Sequence, residues 1–340
     1  NKGTPYEVLL SQLGTFRYKA RHAASQPPAI PRPAAGRTQF GAAGSNSYLV
    51  WGEAASDPDS YDIMGIDLQT RQPLVVSNAP KNQFNPAISG SMVVWEDEQS
   101  SCYPCGRDIV GKDLASGTVY QVATGPNDQL YPAIWGKSVA WIENAEHQTK
   151  LMVRELEETQ SSSSIMEVRT IPYEQGIDLL WPRISDHYLI WAEQSRANPS
   201  TGVRQVSLEF FDRKKGTTRS ITEFDVPRGG GFEYALDAHL AVWSDPTRQL
   251  YIADLNTPEI SKLCTCQAYT PDVKGDVVVW SAPGAISGIH LKDRQPQRLV
   301  AAEAGRAVMR PIIAGEWLVW QNDDGYLGIG SLSEAFSQAP

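Results

Sequence analysis

With 340 residues, the chain can hold two average domains or one large domain built from repeats. A hydrophobic fraction of 41% suits a folded globular protein, and 23 prolines with 27 glycines suit a turn-rich, all-β one. A formal charge of -9 without clustered Lys and Arg argues against a nucleic-acid partner, and no apolar run reaches the ~18–20 residues of a membrane helix.

Residues 1–38 differ in character from the remainder of the chain, and the start at Asn1 rather than Met fits a mature or excised chain. Tyr6-Glu7-Val8-Leu9-Leu10 reads as a lone strand, and Gln26-Pro27-Pro28-Ala29-Ile30-Pro31-Arg32-Pro33 as a stiff, extended linker. From Gln39 a repeat begins, which aligns on Trp51, Trp95, Trp141, Trp191, Trp243, Trp280 and Trp320. Their spacing of roughly 40–50 residues is that of one four-stranded propeller blade. The two residues before each Trp are apolar in every copy, as in Val93-Val94-Trp95. A strand apolar on both faces is covered on both, so each is expected between two neighbouring sheets. Nine residues before the Trp stands a proline in five copies, Pro86, Pro132, Pro182, Pro271 and Pro311, with Ala42 and Tyr234 in the other two. Third strands such as Asp62–Leu68 and Asp108–Leu114 come next, and fourth strands are expected in six copies. The seventh copy lacks a fourth strand before the tail at 333–340, and Tyr6–Leu10 is the expected closing strand.

The pattern Pro-x-Ile-x-Gly-x-x-Val-Val-Trp-x-Asp, then Asp-Ile-x-Gly-x-Asp-Leu-x-x-Gly, is carried best by Pro86–Gly117. It resembles the TolB-like β-propeller repeat of bacterial and archaeal cell-surface proteins. The resemblance covers residues 39–332 and implies an all-β, seven-bladed propeller of four-stranded antiparallel blades, with six blades as the alternative. It implies an extracytoplasmic location and leaves function open, since relatives include accessory proteins, adhesion modules, peptidase gating domains and polysaccharide lyases.

Two sets of positions are expected on the face where propellers bind ligands. Glu53, Asp97, Glu143, Glu193 and Asp245 each lie two residues after the Trp. Such a ring of carboxylates either attracts a cation or basic partner or accepts hydrogen bonds within its own repeat, and the recurrence favours the second. The other set flanks the proline: Tyr131, Trp181, Arg183, Glu233, Asp272 and Arg310 are unlike one another at a repeating position. They offer stacking and charge-assisted hydrogen bonds to a sugar, peptide or carboxylate.

Catalytic motifs are not found. His187 and His239 fall in turns after first strands, and neither Asp57–Asp62 nor Asn322–Gly325 has full calcium-loop spacing. Cys102 and Cys105 suggest a loop-pinning disulfide, while the state of Cys264 and Cys266 stays open. The expected function is a binding or interaction module for a glycan, peptide or protein partner, without cofactor, metal or membrane insertion. A lyase-like enzyme and a structural subunit assembling through the N-terminal arm are the alternatives.

Overall fold

The computed structural model describes residues 26–32, 38–54, 60–98, 106–156, 165–257, 259–293, 295–303 and 306–337. The proposed closing strand at Tyr6–Leu10 and the Cys102–Cys105 pair lie outside them. The chain is an all-β, seven-bladed propeller, and its described residues divide into one unit within 31–228 and another made of 26–30 with those of 229–337.

The first unit holds four blades, each an antiparallel sheet with strands in sequence order. The first blade is β1 (Gln39–Gly44), β2 (Tyr48–Ala54), β3 (Tyr61–Asp67) and β4 (Pro73–Ser77). The second is β5 (Gln83–Ser89), β6 (Met92–Glu98), β7 (Arg107–Asp113) and β8 (Val119–Ala123). The third is β9 (Asp128–Trp135), β10 (Ser138–Ala145), β11 (Gln148–Glu155) and β12 (Ile165–Pro172). The fourth is β13 (Ile177–Ile184), β14 (Tyr188–Ser195), β15 (Arg204–Asp212) and β16 (Thr217–Val226).

The second unit holds three blades. One comprises β17 (Glu233–Asp237), β18 (Leu240–Ser244), β19 (Leu250–Asp254) and β20 (Ile260–Cys264). The next comprises β21 (Tyr269–Lys274), β22 (Val277–Ala282), β23 (Ala285–His290) and β24 (Gln297–Ala301). Among the described residues the last is three-stranded: β25 (Val308–Ala314), β26 (Trp317–Asn322) and β27 (Leu327–Ser331). A short helix, α1 (Leu332–Ser337), continues into the segment that the sequence leaves as a tail. Its buried Leu332 joins the core, and the Phe336 ring lies 4.2 Å from that of His290.

The doubly apolar strands are buried because their side chains alternate between two neighbouring sheets. Val93 and Trp95 pack with Val50, Ile63 and Val76 of the preceding blade, while Val94 packs with Ile134, Val139 and Trp141 of the next one. In the second unit Val278 and Trp280 face Val242 and Ile252, and Val279 faces Ile313 and Leu318. Six of the aligned tryptophans are buried. Trp320 is only half-buried, and its indole lies so close over Gly328 that a Cβ there would overlap it.

The first strand of each sheet is the inner one, because within each unit it meets the first strands of its neighbours. Side chains tie these strands together: Ser89 Oγ accepts the Gly136 N–H at 2.9 Å, and Asp237 Oδ2 accepts the Gly275 N–H at 2.9 Å.

Candidate functional site: the bulged ends of the inner strands

Pairing of the first and second strands breaks register in six blades, at Phe40/Ala43, Phe84/Ala87, opposite Ala140/Ile142, Leu180/Arg183, Tyr269/Asp272 and Met309/Ile312. At each break the residue before the proline position has a positive φ: Gly41 (57°), Asn85 (49°), Tyr131 (55°), Trp181 (47°), Thr270 (43°) and Arg310 (51°). A β-bulge re-aims the side chain it carries, and glycine relieves the strain of a positive φ. Only Gly41 supplies that relief. The other five hold a side chain in a backbone conformation that costs of order 1–3 kcal/mol. In the fifth blade, β17 pairs regularly with β18, so the exposed Glu233 sits on a straight strand end.

Within the first unit the bulges of β5 and β9 converge on Glu96, the residue after Trp95. Its side chain is fully buried and receives three donors. Asn85 Nδ2 donates to Oε1 at 2.7 Å, the Tyr131 backbone N–H donates to the same oxygen at 2.7 Å, and Arg107 Nη1 donates to Oε2 at 2.7 Å. A buried carboxylate is tolerable only with such pairing. The Arg107 guanidinium also lies 5.8 Å from the Phe84 ring centroid. Phe84 continues through Tyr61 (5.6 Å) to Phe40 (5.3 Å), a row of half-buried rings beside the bulges. Burial, and next the charge of Glu96, push the Tyr131 phenol above its ordinary pKa, with Arg107 opposing. Trp181 occupies the same level on the neighbouring inner strand, half-buried, and Arg183 is exposed with Nη1 donating to Pro182 O at 3.0 Å. The structure therefore places Tyr131, Trp181 and Arg183 along adjacent inner strands.

In the second unit Ser281, at the position equivalent to Glu96, plays the corresponding part. Its Oγ accepts the Arg310 backbone N–H at 2.8 Å and lies 2.7 Å from Thr270 Oγ1. Asp272 links β21 to β25, with Oδ2 accepting the Ile313 N–H at 2.8 Å. It is half-buried by surface yet walled in by protein, and this burial raises its pKa to about 6 against the backbone donors Ile313 and Val273. Glu233, Asp272 and Arg310 all lie on inner strands of this unit.

The acidic set behaves differently. The indole N–H of Trp51 donates to Glu53 Oε2 at 3.0 Å, that of Trp95 to Asp97 Oδ2 at 3.1 Å, and that of Trp191 to Glu193 Oε1 at 3.2 Å. Asn322 does the same for Trp320 at 3.1 Å. Glu143 instead receives Asn127 Nδ2 at 3.4 Å, and Asp245 caps its own turn through the Gln249 N–H at 2.9 Å. Glu193 also accepts a bidentate pair from Arg169 of the third blade, at 2.8 and 3.1 Å, and the other acids act as acceptors inside their own blades.

Among the described residues no group of three or more His, Cys, Asp or Glu is placed to hold a metal. Cys264 and Cys266 are joined in a disulfide, with their Cα atoms 5.2 Å apart. No helix among the described residues is long and apolar enough to cross a membrane.

Sequence reasoning missed Glu96, Arg107 and Phe84. The available signal was a charged residue in a strand otherwise apolar on both faces: other blades carry Gly52, Ile142, Ala192, Ser244, Ser281 and Gln321 where Glu96 stands.

No protein-family model matches the chain, and no curated protein matches it. The TolB-like resemblance thus rests on the repeat residues alone. Solved structures share the fold. An oligogalacturonate lyase in complex with manganese superposes with a TM-score of 0.61 at 13% identity, over 86% of this chain and 88% of that one. The β-propeller domain of the Trilobed protease from Pyrococcus furiosus, described as having an open velcro topology, gives 0.59 at 12% identity over 86% and 91%. The β-propeller domain of Cps50 (Swd1) from Myceliophteria thermophila gives 0.57 at 11% identity over 89% and 100%. At these identities the likeness establishes the propeller fold alone.

Proposed function

We propose that the protein is an extracytoplasmic binding module that engages a glycan, peptide or protein partner through the side chains at the bulged ends of its inner strands. The observation that carries this reading is the series Asn85, Tyr131, Trp181, Thr270 and Arg310, each held at positive φ directly before a proline. Strain retained at one recurring position, with a different side chain each time, supports a role beyond folding. The mixture of phenol, indole, guanidinium and carboxamide suits stacking and directional hydrogen bonds to a polar ligand. The Cys264–Cys266 bridge supports an oxidising compartment. Free-thiol counting that finds both cysteines reduced in protein from its native cell would argue against that location.

The test is an immobilised glycan and peptide array probed with the wild-type chain and with Trp181→Gly and Arg310→Gly. Saturable capture that both variants lose supports the proposal. Absence of any signal above background, or capture unchanged in both variants, counts against it.

A lyase-like use of the scaffold is the second reading, favoured by Asp272, whose carboxyl is held near pH 6 on an inner strand. Incubation with oligogalacturonate and manganese, with ultraviolet absorbance of the double bond that a lyase creates as the readout, tests it. A flat trace with all such uronates removes this reading.

A further inference from the structure

A second cluster lies in the second blade, apart from the bulges. Gln83, Asp97 and Asp108 are direct cross-strand partners on β5, β6 and β7, so their side chains share one face of the sheet. All three are buried, Gln83 at 0% exposure and the aspartates at 8% each. Two carboxylates facing each other at this depth repel, and among the described residues no Lys, Arg or His pairs with either. Asp97 Oδ2 is occupied by the Trp95 indole at 3.1 Å and Asp108 Oδ1 by the Gly125 N–H at 3.3 Å, which leaves one oxygen of each carboxylate without a described donor.

Gln83 supplies the second, independent observation. Its Nε2 donates to Ala79 O at 3.2 Å and Lys81 O at 3.1 Å, while its Oε1 is buried and has no hydrogen-bond partner. The two backbone carbonyls fix the amide's orientation, because the flipped form would set oxygen against oxygen. The free carbonyl oxygen is therefore left on the branch turned away from those carbonyls, and the Gln83 side chain shares its sheet face with the two aspartates. The first blade carries the same row, Gln39, Glu53 and Asp62, with the amide used differently: Gln39 Nε2 donates to Pro31 O at 2.9 Å and to Glu53 Oε2 at 3.3 Å. There the row satisfies itself. In the second blade the amide oxygen is left without a partner, on the sheet face that also carries the two aspartates.

The geometry points to a cation site made by Gln83 Oε1, Asp97 and Asp108, for a hard divalent ion of the calcium class. All the donors are oxygen, two carry charge, and the ion would neutralise the facing carboxylates while filling the orphaned acceptor. Asp97 also lines a cleft of about 480 Å³ between the first two blades, together with Trp95, Glu98, Lys81 and Lys112. Calcium accepts an irregular arrangement of oxygens, such as donors set in a row across a sheet, whereas magnesium demands near-ideal octahedral geometry.

The test uses the full chain freed of divalent ions with a chelator, then titrated with calcium chloride, with thermal unfolding as one readout. Terbium luminescence, sensitised by the adjacent Trp95, is the other. Calcium is expected to raise the unfolding midpoint, more than magnesium does, and terbium to bind saturably. Asp108→Asn, which keeps shape and removes one of the two like charges, is expected to fold and to lose both responses. Gln83→Glu adds a third carboxylate, so it is expected to be less stable than wild type in chelator and to gain a larger calcium shift. The assignment is overturned if calcium leaves the wild-type midpoint unmoved, if the shift survives undiminished in Asp108→Asn, or if Gln83→Glu responds no more than wild type.

Discussion

The backbone N–H of Tyr131, in the third blade, donates to Glu96 Oε1, in the second, at 2.7 Å. A residue forced into positive φ thus places its amide on a buried carboxylate that also fixes Asn85 and Arg107. Local strain in one sheet is offset by a charge-assisted bond supplied by the next. Glu96→Ala strands three donors, one of them a guanidinium. Breaking a buried pair costs about 3–5 kcal/mol, and the partial exposure of Arg107 lowers the expected loss to about 2–4 kcal/mol in chemical unfolding.

Arg310 separates strain from function. Its side chain is exposed, and its N–H bond to Ser281 survives replacement by glycine. Arg310→Gly therefore relieves the positive φ at little cost in contacts. It is expected to raise stability by about 1 kcal/mol while weakening ligand capture, whereas Arg310→Ala keeps the strain and gains nothing. Denaturant midpoints for the two variants distinguish these outcomes.

Trp280 Nε1 is buried without a hydrogen-bond partner, and Ala282 stands where Asn322 accepts from Trp320. Ala282→Asn supplies the missing acceptor two residues on. Satisfying this buried donor is expected to add about 1 kcal/mol, read as a raised thermal midpoint.

Asp272 gives a signed pH dependence. Burial raises its folded-state pKa to about 6, above the 3.8 of the unfolded chain. The folded protein then holds the proton more tightly, so this group's stabilising effect is complete below about pH 4 and is lost as pH rises through about 6. Asp272→Asn removes that slope. It is expected to be more stable than wild type at pH 8, by up to about 3 kcal/mol, with the gap closing towards pH 4. Asp113, Asp212 and Asp276, whose pKa values are lowered by their hydrogen bonds, oppose the trend in both proteins and cancel in the comparison.

The repeat was legible because burial between two sheets demands apolar residues on both strand faces, and that demand is written at every aligned Trp. The proline position was legible too, and it located the inner strands. The conformation one residue earlier was not. A positive φ announces itself in sequence when glycine stands there, and Asn85, Tyr131, Trp181, Thr270 and Arg310 give no such sign. Glu96 escaped because its partners come from three different strands, β5, β7 and β9, which pairing patterns along the chain do not reveal. Gln83 escaped for a related reason: its unused oxygen exists only because two loop carbonyls capture the amide nitrogen.

The kink at the head of the inner strands belongs to the sheet pairing and not to any one amino acid, since glycine, asparagine, tyrosine, tryptophan, threonine and arginine all occupy it. Each such place is a socket in the scaffold. Under the binding role proposed above, exchanging what is plugged into it is expected to change what the surface recognises, one residue at a time.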